Sequence, residues 1–176
     1  MWFPEWETFY IALATASGAL TGLMFVVSAL FGNIPDTPED ALHAFATPTV
    51  FHLANVLLLS LLFVMPWPTV LWLRLAVAVF GVSGSVYMLI VWRRAIRQSS
   101  YKPVFEDWLR YMALPLACYT AIFIAAAALR LRQTLSLFAI AGGSVLLLFV
   151  GIHNSWDNVV YITVGLKENA RKKGAS

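Results

Sequence analysis

Charge is scarce in this chain: 12% of its 176 residues are Asp, Glu, Lys or Arg, against 60% hydrophobic. A soluble domain carries roughly twice that charged share, so a water-facing globular fold is excluded. Cysteine is nearly missing. Cys118 alone cannot form an internal disulfide, and its apolar setting makes it a packing residue. Long polar connections are missing too, which leaves little material for a soluble active site. There is no phosphate-binding loop, no serine- or zinc-protease motif and no nucleotide fingerprint, so an enzyme is not expected. Nor is there an internal repeat, a low-complexity tract or an inverted pair of halves. The opening segment Met1 to Glu7 lacks a basic stretch and a small-residue cleavage site, so a cleaved signal peptide is not expected.

What the chain does have is long apolar runs. A bilayer core needs roughly 20 apolar helical residues, and five stretches qualify: about 8–31, 47–65, 69–92, 108–129 and 135–164. The expected fold is an all-α polytopic membrane helix bundle, with residues 1–176 forming a single transmembrane domain. Pro66-Trp67-Pro68 ends the second span, Arg93-Arg94 closes the third, and Pro115 is expected to kink the fourth. Asp36-Thr37-Pro38-Glu39-Asp40 reads as a helix start, predicting a short amphipathic helix that leads into the second span. Tyr101-Lys102-Pro103 should lead into the fourth in the same way.

Orientation follows from Lys and Arg. With the N-terminus outside, Arg93, Arg94, Arg97, Lys102, Arg110, Lys167, Arg171, Lys172 and Lys173 fall inside, leaving Arg74, Arg130 and Arg132 outside. The positive-inside bias therefore predicts the N-terminus outside and the C-terminus inside. The net charge of +3 sits beside hydrophobic segments, so it orients the protein and does not point to nucleic acid. Tryptophans mark most span ends, as an interfacial belt would. Glu5 and Glu7 flank the first span at the outer face. Arg74, several residues inside its own span, must snorkel outward or find a carboxylate.

Polar side chains inside a membrane cost several kcal/mol and are worth locating for that reason. In the fifth span, His153, Asn154, Asp157, Asn158 and Tyr161 share a sector about 140° wide at 100° per residue. His153 and Asp157, four apart, can bond directly, and the Asp would orient the imidazole. Counted from Leu135, Ile152 lies about 27 Å along the helix, which places His153 near the cytoplasmic interface. The second span offers Thr49, His52 and Asn55 three apart on one face, in the same leaflet. These residues can serve ion or proton permeation, bind haem or a metal through His52 and His153, or form a structural hydrogen-bond cluster. No further Cys or carboxylate completes a standard metal set, so no cofactor is required.

The first span carries Ala14, Gly18 and Gly22 four apart, with Thr21 nearby. This small-residue spacing permits close helix approach, either within the bundle or across the axis of a homo-oligomer. Gly81, Gly84 and Ser85, and likewise Gly142, Gly143 and Ser144, point to further close contacts.

Three segments together resemble a largely uncharacterised family of small bacterial integral membrane proteins. They are Trp6-Glu7-Thr8-Phe9-Tyr10 with Gly18 to Val27, then Ala44 to His52, and Gly151-Ile152-His153-Asn154-Ser155-Trp156-Asp157. The resemblance implies a multi-pass protein of the bacterial inner (plasma) membrane and imports no reaction. Some similar sequences are described as modulators of a membrane protease, which would imply a membrane-protein partner and an accessory role.

Overall fold

The computed structural model describes residues 3–32, 39–97 and 109–173, with side chains described for 3–29, 49–93, 111–157 and 159–160. After a 3-10 turn at Pro4–Trp6, the described residues form five helices: α1 (Glu7–Gly32), α2 (Glu39–Val64), α3 (Val70–Arg97), α4 (Leu114–Ala128) and α5 (Gln133–Lys173). A π-helical turn, Leu109–Ala113, leads directly into α4. Among the described residues four segments are long and apolar enough to cross a membrane: Pro4–Ala29, Val70–Arg93, Tyr111–Ala128 and Gln133–Asp157. In α2 the described apolar part is Thr49–Val64.

Three boundaries depart from the sequence reading. Among the described residues no separate amphipathic helix precedes the second span, because α2 runs unbroken from Glu39; Asp36, Thr37 and Pro38 lie outside the described residues, as does Tyr101-Lys102-Pro103. Pro115 sits at the very start of α4, behind the π turn. Lacking an N–H, it cannot continue the i→i−4 ladder, and the wider π turn absorbs the mismatch. Finally, α5 continues through the basic tail to Lys173 over 41 residues, about 61 Å of helix. That is twice a hydrocarbon core, so a large part of α5 projects beyond it.

The packing order differs from the chain order. Helix α1 lies along α2, α2 along α5, α5 along α4, and α4 along α3, with lighter α2–α3 and α1–α5 contacts. Helices α2, α3, α4 and α5 thus form a four-helix core in which α2 and α4 stand on a diagonal, and α1 braces it from outside. Residue pairs set the register. Tyr10 stacks on Phe63 at 4.1 Å between centroids, and Trp6 meets Phe138 edge-on at 4.9 Å.

Glycine decides how closely these helices approach at two contacts, α3 with α4 and α5 with α2. A Cβ at Gly84 would lie 2.2 Å from the Tyr119 ring, one at Gly81 2.8 Å from the Phe123 backbone, and one at Gly151 2.6 Å from Leu53. At each position an added Cβ would force its neighbour to move: at Gly81 this is the α4 backbone, at Gly84 the Tyr119 ring, and at Gly151 the more yielding Leu53 side chain. Gly143, set against Ile122, makes a milder approach, while Gly142 faces open space. In α1 the outcome is mixed. Gly18 makes ordinary contact with Leu57 of α2, and Gly22 has nothing within 4 Å. Ala14 is half-buried, and Thr21 donates to the Ser17 carbonyl at 2.7 Å.

Candidate polar site in the bundle core

The buried residues of α2 recur at helical spacing: Thr49, His52 and Leu53, Val56, Leu59 and Ser60, Phe63. Two of them are polar near the middle of the helix. His52 is wholly buried, and its Nδ1 lies 3.1 Å from the Tyr119 hydroxyl of α4. The two backbones have no close approach among the described residues, so the side chains themselves bridge the diagonal. Gly84 of α3 lets the Tyr119 ring into this space, and Phe51 stacks on Tyr87 of α3 at 3.7 Å beside it. The other ring nitrogen, His52 Nε2, is buried without a hydrogen-bond partner.

On α5 the buried positions run Ile140, Gly143, Ser144, Leu147, Val150, Gly151 and Asn154. Asn154 therefore ends a stripe that otherwise faces the core. It is fully buried, and neither its Oδ1 nor its Nδ2 has a partner. Since Gly151 rests on Leu53, Asn154 lies within about one helical turn of the His52 level. The two residues occupy the same stretch of the core.

His153 and Asp157 belong elsewhere. Their side chains are 43% and 41% exposed and meet at 3.3 Å, and Tyr111 of the π turn donates to Asp157 Oδ2 at 3.0 Å. The polar sector expected on the fifth span is therefore split, with Asn154 turned inward and the His153–Asp157 pair at the edge of the α4–α5 contact. The side chains of Asn158 and Tyr161 lie outside the described residues.

Because Gly151 packs on Leu53, His52 and His153 lie at a similar level along the bundle. From Phe138, which meets Trp6, to His153 is about 22 Å of helix. Yet their rings do not come together. Two residues on from Gly151, which faces α2, is about 200° round the helix, so His153 points away from His52. Among the described residues no three His, Cys, Asp or Glu side chains gather where they could hold a metal.

Other candidates have local roles. Asn55 donates to the Phe51 carbonyl one turn back at 2.7 Å, as Ser60 does to Val56 and Ser144 to Ile140 at 2.8 and 2.7 Å. Such back-bonding satisfies a hydroxyl or amide within its own helix. Thr49 is buried beside His52. Among the described residues Arg74 meets backbone carbonyls and no carboxylate. It donates from Nε and Nη2 to the Ala126 and Ala127 carbonyls at 3.4 and 3.2 Å, placing a cation at the negative end of the α4 dipole. Glu5 and Glu7 are exposed, Glu5 on an open cleft with Trp6 and Gln133. Arg130 and Arg132 are exposed in the α4–α5 turn.

Sequence reasoning missed Tyr119, Tyr111, Gly84 and Gly151 as members of these sites. A signal for Tyr119 was present: a phenolic hydroxyl midway along an apolar span needs a hydrogen-bond partner.

The fold and its apolar helices define a multi-pass helical membrane protein. No family model matches the chain, and neither a curated protein nor a solved structure matches it.

Proposed function

We propose that the protein conducts protons across the bacterial inner membrane, with its N-terminus outside, through a relay centred on His52. The observation that carries this reading is a fully buried imidazole on the bundle diagonal, with Nδ1 on a tyrosine hydroxyl and Nε2 unpartnered. An imidazole can take a proton on one nitrogen and release one from the other. Tyr119 can accept and donate through the same oxygen. The half-exposed His153–Asp157–Tyr111 group at the same depth supports a role in collecting protons on the cytoplasmic side.

The core is packed, so the reading favours a hydrogen-bonded relay over an open ion pore. Self-association is part of the proposal. A Cβ added at Gly22 on α1 would meet nothing within 4 Å among the described residues, which supports room for the close approach of a second copy.

Reconstitution into liposomes loaded with a pH-sensitive dye, under a potassium-set potential, tests the reading. Wild type should acidify the lumen, His52→Phe should not, and Asp157→Asn should do so more slowly. Equal rates for wild type and His52→Phe would overturn it.

A further inference from the structure

We infer that the core between α2, α4 and α5 contains a built hydration site, in which bound water bridges His52 Nε2 and the Asn154 side-chain amide. Two independent side chains on different helices point to it. Both are fully buried, and both carry polar atoms with no protein partner: one ring nitrogen on His52, and the oxygen and nitrogen of Asn154.

Leaving these atoms unpaired is costly. An amide buried without a hydrogen bond costs roughly 2–7 kcal/mol depending on its reference state, and bulk water cannot reach the interior of a bilayer bundle. Nearby polar residues solve the problem locally: Asn55, Ser60 and Ser144 bond to their own helix carbonyls. Asn154 does not, although Ser155 beside it bonds back to Gly151 at 2.7 Å. Its amide is held for something other than its own helix.

Water fits the chemistry required. Asn154 offers a donor and an acceptor, and His52 Nε2 offers one or the other according to tautomer. A buried water typically makes about three hydrogen bonds, and these atoms supply that number within one helical turn of depth. The register comes from Gly151 packed on Leu53, which fixes α5 against α2 at this level. Two approaches made possible by bare glycines, Gly84 under Tyr119 and Gly151 under Leu53, frame the same region. The inference stands apart from proton conduction, because such water can be purely structural.

The test is water-to-protein magnetisation transfer by solid-state NMR on ¹⁵N-labelled full-length protein in liposomes. The chain has three histidines, so His43→Gln with His153→Gln isolates the His52 signals. Transfer to His52 Nε2 and Asn154 Nδ2 is expected within milliseconds, under deuterated lipid and with no transfer to the methyls of Leu147. In Asn154→Leu the water signal at His52 should fall by at least half while the Nδ1 bond to Tyr119 remains visible. A dry His52 Nε2 and a dry Asn154 in folded wild type would overturn the inference, as would an unchanged water signal in Asn154→Leu. Wild-type liposomes that carry no proton flux, alongside bound water at His52 and Asn154, would refute the proposed function and leave this site standing.

Discussion

His52 Nδ1 and the Tyr119 hydroxyl meet at 3.1 Å across the diagonal of a four-helix core, bridging two helices whose backbones make no close approach. This bond ties α2 to α4 inside the bundle core. It is a polar link where apolar packing would otherwise suffice, which makes it the natural first target for substitution.

Tyr119→Phe removes the hydroxyl and leaves both His52 nitrogens without a protein partner. Stranding a buried polar group costs about 1–3 kcal/mol. The variant should unfold earlier in a detergent thermal melt, and proton flux in liposomes should drop to the empty-vesicle rate. A variant as stable and as active as wild type would show that the bond contributes to neither.

Gly84→Ala should be among the most damaging single-methyl additions in the bundle. The new Cβ would fall 2.2 Å from the Tyr119 ring, and overpacking of this kind costs roughly 1–3 kcal/mol. Gly22→Ala is the matched control, since nothing lies within 4 Å of that position. Melting temperatures of the two variants, measured side by side in detergent at low protein concentration, should separate clearly.

Asp157→Asn keeps an oxygen that can accept from Tyr111 but removes the charge beside His153. Both side chains of the ion pair are more than a third exposed, so the stability change should be below about 1 kcal/mol. The flux rate, by contrast, should fall. Tyr111→Phe should give the same split, with near-normal melting and slower flux.

Arg74→Met should loosen the end of α4. It removes two donors from the Ala126 and Ala127 carbonyls together with a favourable charge–dipole contact, about 1 kcal/mol in all. Hydrogen exchange should accelerate at the last turn of α4 and not at the His52 level. Arg74→Lys should restore part of the protection.

Much of this architecture was legible before any tertiary contact was known. Five helices, the break at Pro66-Trp67-Pro68 and the disturbance at Pro115 follow from local rules of span length and proline geometry. The glycines of α3 and Gly143 of α5 announced close approaches that the structure contains. The extent of α5 was not legible, because the polar tail after Val164 is helical without being apolar, and hydropathy reads only the part that lipid would cover.

The candidate site shows where sequence periodicity runs out. A helical wheel fixes the angle between Asn154 and His153 at about 100°, but not where the boundary of the core falls between them. That boundary is set by which neighbours α5 meets, namely Leu53 at Gly151 and Ile122 at Gly143. The polar residues and their matching depth were therefore determined by the sequence alone. Only the packing order α1–α2–α5–α4–α3 decided that Asn154 turns inward, that His153 turns away, and that His52 has Tyr119 for its partner. The physical reason is that hydrophobicity acts along one helix at a time, whereas neighbour choice depends on shape, and here on which glycines allow two backbones to approach.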